Sequence, residues 1–297
     1  MGNTDRTFTG NFRMAKIKLS TRKRYRENLR LFLRLVRPLE SQLTKFFAKQ
    51  SRKAKFEYEL DNLVGREYFE KFWREAYLIL SKHQKTVIET MTDNTLKRTE
   101  MQKKADVPID GDDGIFVPPT LVAKVGMRLL EDTPDVIVKY VSEETAQHVT
   151  YITETTKAKI QSTIGYSIAE GLSEIATAEL ISESTAFSST RAKTIARTET
   201  HQAMNYGILQ TAKSLKLDRP VKIWGSALDS RTRQWHADMN GKIVERDEDF
   251  MVLTPTRSGS IELPMATAGD DRGGASNVIN CRCFVDVVDA DMVEFIE

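Results

Sequence analysis

From Tyr25 the apolar residues fall at Tyr25, Leu29, Phe32, Val36, Leu39, Leu43 and Phe46, in steps that alternate between four and three. Residues so spaced line one side of an α-helix, and the alternation gives a heptad-like stripe. Pro38 interrupts it. Proline lacks the N–H that a helix uses and disfavours helical backbone at the residue before it, so a kink or a fresh helix start is expected there. Residues 56–104 read as further helix, with Leu60, Leu63, Tyr68, Phe69, Phe72, Trp73, Tyr77 and Leu80 as an aromatic face. Its helical spacing marks packing core rather than a base-stacking platform. Helical pattern resumes over 120–215, with Leu121, Val122, Val125, Leu129 and Leu130 on one face and breaks expected at Gly165 and Gly171. Ser188-Ser189-Thr190 offers a cap for a helix through Arg191–Leu215, with Ile195, Ala196, Ala203, Tyr206 and Gly207 on its buried side. His83 reads as a surface residue, and His148 and His201 as capped or solvent-facing helical histidines.

The pattern changes after Asp218-Arg219-Pro220. Val221 to Trp224 alternates like a strand. Asp229-Ser230-Arg231-Thr232-Arg233 suits a helix N-terminus, with Asp229 or Ser230 as cap. Asn240-Gly241 is a turn signal, followed by Lys242-Ile243-Val244 as a short strand. The Gly-, Pro-, Ser- and Asp-rich stretch from Thr254 to Asn277 reads as a long loop. Cys283 to Val288 reads as a closing strand paired with the strand of Lys222. The fold class expected is a mostly α-helical N-terminal region with a small α+β C-terminal domain. The divisions are a flexible basic arm over 1–19, helical regions over 20–104 and 120–217, a linker over 105–119, and a module over 218–297. The linker holds Asp110, Asp112 and Asp113 around Gly111, but it lacks the glycine and glutamate positions of a calcium loop.

With 297 residues, 40% of them hydrophobic, the chain has material for a sizeable core. It has no run of the ~20 apolar residues that spans a bilayer, and no membrane partner is expected. Its first residues lack the apolar run and cleavage site of a secretory signal. The two cysteines, Cys281 and Cys283, are one residue apart, a poor arrangement for an ordinary structural disulfide, and the chain reads as built for a reducing cytoplasm. The net charge of +2 hides an asymmetry: residues 1–56 carry sixteen Lys/Arg against three acids, and residues 218–297 carry nine against fifteen. Arg22, Arg26, Arg30 and Arg34, each four apart, stack along one helix side. They form either a solvated face or a contact for an anion, nucleic acid or an acidic partner.

His236, Cys281 and Cys283, with Asp229 as a conceivable fourth group, offer the imidazole and thiolates that zinc takes at tetrahedral positions. The Cys-x-Cys spacing is shorter than usual for such sites. The competing reading makes both cysteines small core residues and lets His236 bond the Asp229 segment. Asp229, Arg231, Arg233 and His236 also have the types for a hydrolytic site, histidine for proton transfer and arginine for a phosphate-like charge. Against that, Asp229 is expected to cap a helix while Arg231 and Arg233 pair with acids. No nucleophile converges on them in sequence, so no catalytic residue is assigned. Gly273-Gly274 lacks the Lys-Ser/Thr of a phosphate-binding loop.

These polar words occur in a fixed order: Ala196-Arg197-Thr198-Glu199-Thr200, Asn205-Tyr206-Gly207, Trp224, Asp229 with Arg231, Thr232-Arg233, His236, and Asn280-Cys281-Arg282-Cys283. In that order, over about 185–290, the chain resembles the phage Mu F-like head morphogenesis proteins, which are minor capsid proteins of tailed bacteriophages. Met239-Asn240-Gly241 stands where the family pattern has a hydrophobic residue and glycine in a similar turn. The resemblance implies a protein present in few copies, associated with the portal protein and with scaffold or major capsid protein during procapsid assembly. It further implies residence in the procapsid or virion interior after synthesis in the host cytoplasm, and contact with phage DNA or an effect on its ejection. The family motif residues so marked are Arg197, Glu199, Asn205, Trp224, Asp229, Arg231, Arg233, His236, Cys281 and Cys283, none with a catalytic role. The alternative from another class is a metal-dependent nuclease or toxin-like enzyme centred on His236, Cys281 and Cys283.

Overall fold

The computed structural model describes residues 15–17, 21–105, 135, 137–215 and 217–295. The expected arm over 1–19 (apart from 15–17), the linker beyond Ala105, and the face from Leu121 to Leu130 lie outside the described residues.

Helix α1 (Thr21–Asp61) realises the first stripe: Phe32, Val36, Leu39, Leu43 and Phe46 are buried. It runs through Pro38 without the fresh start expected there. Pro38 and Arg34 both lie on the exposed side, so the Arg34 carbonyl that loses its N–H partner faces water, while Val36 and Leu39 hold the flanking turns in the core. The chain reverses at Asn62, whose φ of 52° is the left-handed conformation that asparagine tolerates. Helix α2 (Arg66–Ala105) follows. Tyr68, Phe72 and Leu80 are buried, but Leu60 and Leu63 are exposed, against expectation. They flank the reversal, where Tyr58 and Val64 take the buried positions instead.

A π-helical turn over Val141–Thr145 leads into α3 (Ala146–Ala169). Gly165 lies inside α3 and breaks nothing, whereas the second expected break is real: Gly171, at φ 63°, follows the helix end. Helix α4 (Glu174–Ser182) and then α5 (Ser189–Ser214) complete the helical part. Ser188 caps α5 as expected, its Oγ accepting from the Arg191 N–H at 3.2 Å. Helix α5 packs on both α1 and α2. Gly207 permits the approach to α2, since a Cβ there would sit 3.1 Å from Met91 Cβ and 3.4 Å from Ile88 Cα.

The C-terminal part is built on β2 (Pro220–Gly225), the middle strand of an antiparallel sheet between β3 (Ile243–Glu245) and β6 (Phe284–Asp289). Lys222 lies opposite Val287, so the expected pairing of the closing strand holds. The expected long loop is instead largely a hairpin of β4 (Phe250–Thr256) and β5 (Gly259–Met265). Phe250, Val252 and Thr254 alternate inward, while most of β5 is solvent-exposed, which accounts for its loop-like composition. Two one-turn helices, α6 (Gln234–Ala237) and α7 (Ala275–Val278), flank the hairpin in sequence. Near the chain ends β1 (Ala15–Ile17) pairs antiparallel with β7 (Val293–Phe295).

Strand β6 joins two cores. Phe284 packs into the helical core, edge-on to Tyr25 and Phe32, while its neighbour Val285 packs with Trp224, Met239, Phe250 and Met265 in the module core. Alternate strand residues point to opposite faces, so one strand serves both. Arg24 pairs with Asp286 at 2.5 Å across the same seam. The fold is a helical N-terminal region carrying a small α+β part, as the sequence predicts.

Candidate functional site

The motif residues gather in two adjoining sets. The first lies inside the module. Trp224 of β2 is fully buried, edge-on to His236 and Phe250, and its Nε1 donates to Ser226 Oγ at 3.1 Å. Ser226 Oγ donates in turn to the His236 carbonyl at 2.6 Å. His236 on α6 and the two cysteines before β6 are all buried. His236 Nδ1 stands 3.5 Å from each Sγ, and Ser226 Oγ stands 3.5 Å from Cys283 Sγ. Asn280, left-handed at φ 57°, precedes the cysteines and turns the chain into this corner. The hydrogen bond between the two thiols, ahead of burial, raises Cys281 and lowers Cys283 relative to a free cysteine. Lys222, read only as part of a strand, is buried with Nζ donating to the Ala266 carbonyl at 2.8 Å and lying over the Phe250 ring; burial pushes its pKa down to about 8.

Asp229 caps no helix, contrary to expectation. It folds a turn, accepting from the Arg231 N–H at 3.0 Å, and α6 begins only at Gln234 with Arg233 at its N-cap. The partner of Asp229 is Arg282, bidentate at 2.5 and 2.7 Å, and this pairing holds the carboxyl well below the usual carboxylate range. Arg233 turns to a carbonyl, that of Ile279 at 2.6 Å, rather than to an acid. Arg231 is exposed.

The second set fastens the module to α5. Asn205 Oδ1 accepts the Val285 N–H at 2.9 Å, and His201 Nε2 donates to the Cys283 carbonyl. Thr198 Oγ1 accepts the Asn280 N–H at 3.1 Å, and Arg197 Nε donates to Glu40 of α1 at 3.1 Å. Glu199 is buried, accepting from Gln84 of α2 at 2.8 Å and bonded to His148 Nδ1 of α3 at 2.8 Å. The other His148 nitrogen meets Asp271 of the module at 2.8 Å, and Gln202 donates to the same carboxylate at 2.7 Å. His148 and His201 are therefore buried and bonded, not solvent-facing. Burial works against a charged His148, but the Glu199 charge and the bonds from both carboxylates outweigh it and lift the pKa to about 11. For His201 burial dominates and lowers the pKa. His83 is not a lone surface residue either: half-buried, it bonds Thr200 Oγ1 at 2.8 Å, and burial pushes its pKa down to about 4.

Glu144, His148 and Asp271 form a second group with metal-ligating side chains, but both His148 nitrogens are engaged by carboxylates. A groove of about 930 Å³ opens beside them, between α3, α5 and the 266–279 stretch, with Tyr151, Ile195, Tyr206 and Val278 among its walls. On α1, Arg26, Arg30 and Arg34 are exposed along one side; Arg22 belongs to the same helix, and its side chain lies outside the description.

A sequence profile described as Phage Mu protein F like protein matches residues 158–286. Over that stretch, less than half of the chain, the sequence is similar to the Phage Mu protein F like family. The Mu F-like stretch begins within α3, upstream of the first motif words, and ends in β6. Two relatives match part of the chain. The Minor head protein GP7 of Bacillus phage SPP1 is 32% identical over 132 residues, 43% of this chain and 39% of that protein. The NAD(+)–arginine ADP-ribosyltransferase EFV of Enterococcus faecalis is 35% identical over 124 residues, 40% of this chain and 23% of that protein. The chain thus spans well under half the length of either relative. No solved structure matches it.

Within the Mu F-like stretch, sequence reasoning passed over Asn277, Gln202 and Asp271 and read His201 as capped or solvent-facing, and these four complete both sets. Asn277 and Asp271 sat in what read as loop, and nothing in the helical pattern singled out Gln202. Arg24 escaped because it falls between the four-apart arginines, yet it is the one buried against the module.

Proposed function

We propose that this chain is a minor head protein of a tailed bacteriophage and takes part in head morphogenesis. The observation that carries the reading is the Mu F-like match over 158–286, joined to the 32% identity with the minor head protein of phage SPP1. The way the motif residues are spent supports it. Trp224, His236, Cys281 and Cys283 are buried inside the module, and Glu199 and Asn205 are buried where it meets the helices. Such residues hold shape and docking, and of the six only Glu199 also borders the groove beside His148.

In this reading the partners are the portal protein and the scaffold or major capsid protein, and the place of action is the procapsid or virion interior. The exposed Arg26, Arg30 and Arg34 supply a cationic face on α1 for packaged DNA or an acidic surface of the portal vertex. The acidic module end faces other protein. The test is genetic: in a phage or prophage carrying the gene, its removal lowers the yield of infective heads and the wild-type chain restores it. Unchanged yield overturns the proposal. Phosphodiester cleavage by the purified chain, lost in His236→Ala, supports a nuclease in its place.

A further inference from the structure

The corner formed by His236, Cys281 and Cys283 has the dimensions of a metal site. Zinc holds sulfur at about 2.3 Å and imidazole nitrogen at about 2.0–2.1 Å, so tetrahedral angles place the two ligand atoms about 3.6 Å apart. His236 Nδ1 lies 3.5 Å from Cys281 Sγ and 3.5 Å from Cys283 Sγ, and all three atoms fall within 4.8 Å of one another.

The hydrogen bonding decides which imidazole nitrogen faces the sulfurs as a ligand. Asn277 Nδ2 donates to the Gly273 carbonyl at 2.8 Å, and a carbonyl only accepts, so the amide orientation is fixed. Its Oδ1 then accepts from Trp235 Nε1, a donor-only group, at 2.7 Å and from His236 Nε2 at 3.0 Å. With Nε2 donating to Asn277, Nδ1 is the His236 nitrogen that faces both sulfurs. A second group that orients a histidine through its other nitrogen is the usual support of a metal ligand. The Cys283 N–H lies 3.5 Å from Cys281 Sγ, a donor placed for a thiolate.

We propose that His236 Nδ1, Cys281 Sγ and Cys283 Sγ bind one zinc ion. Two thiolates and an imidazole at tetrahedral spacing select zinc over harder cations. The fourth position is left to a water: an opening of about 10 Å³, the room for one water, borders His236 and Cys283 beside Arg231, Arg233 and Asn280. The ion ties α6 to the entry of β6 and so clips together a module whose strands are short. This site is independent of the head-assembly reading, which stands or falls on particle composition and yield.

The test uses the full chain. Zinc content after purification in zinc-supplied medium is measured alongside the absorption spectrum of the cobalt(II)-loaded protein. One zinc per chain is expected, with a tetrahedral cobalt spectrum and a sulfur-to-cobalt charge-transfer band. Because Cys281 and Cys283 are the only cysteines in the chain, that band reports on this corner without any substitution. Cys281→Ser is expected to lower the band and the zinc content, with helical circular dichroism retained as the control for folding. Protein that takes up neither metal, or that binds cobalt without a thiolate band, overturns the proposal.

Discussion

Asn205 of α5 holds the first paired residues of β6: its Oδ1 accepts the Val285 N–H at 2.9 Å while its Nδ2 faces the carbonyls of His201 at 3.2 Å and Cys283 at 3.3 Å. The side chain is fully buried, so no water replaces it. Asn205→Leu leaves the Val285 N–H buried without a partner, which costs about 1–3 kcal/mol. Urea unfolding of the variant beside the wild type measures this, and a loss under about 0.5 kcal/mol contradicts the role assigned to Asn205.

Gly269 is required twice over. Its φ of 92° is a conformation that side chains resist, and a Cβ there would lie 3.0 Å from His201 Nδ1. Gly269→Ala is expected to destabilise the protein by about 1–3 kcal/mol, from backbone strain and displacement of His201. The same thermal or urea measurement reads it; stability equal to wild type counts against the tight seating of this turn on α5.

His148 makes stability depend on alkaline pH. Its folded pKa of about 11 stands above the unfolded value of about 6.5, so its stabilisation is complete below the unfolded pKa and is withdrawn as pH rises toward the folded one. The charged groups facing it are Glu199 of α5, Asp271 of the module and Glu144 of the π-helical turn. Asp271 works at the other end: burial raises its pKa, the bond and charge of His148 together with the Gln202 bond more than reverse this, and its contribution is lost as pH falls through the carboxylate range. Wild-type stability is expected to decline between pH 7 and 10 more steeply than that of His148→Gln. Parallel curves contradict the pairing.

Arg26, Arg30 and Arg34 are predicted to carry DNA affinity through phosphate contacts. Each such contact adds about −0.9 to the slope of log K against log salt, so replacing all three by Ala reduces the slope by about 3 on duplex DNA. Filter binding or anisotropy across a salt series reads this. An unchanged slope assigns the face to a protein surface or to solvent.

The helices were legible because their apolar periodicity is set by burial, and burial is what α1, α2 and α5 share. The β2–β6 pairing was legible for the same reason, through the alternation around Trp224 and Val285. The β4–β5 hairpin was not, because most of β5 faces solvent and its Gly, Pro and Ser carry loop composition. Pro38 starts no new helix because the rule against helical proline weighs less on an exposed side than the packing on the opposite side. In the candidate site, His236, Cys281 and Cys283 were singled out by residue type alone. Their support from Asn277, and the burial of His148 against Glu199 and Asp271, depend on contacts between residues far apart in sequence. The pairing of Asp229 went to Arg282 for a like reason: tertiary placement, not local turn chemistry, brings that guanidinium to it.

The most direct measurement is the protein composition of purified heads. Quantitative mass spectrometry of procapsids and DNA-filled particles, made with the wild-type chain and with Asn205→Leu, is predicted to find the wild-type chain at a few copies per head and the variant depleted. A wild-type chain missing from both particles contradicts the account.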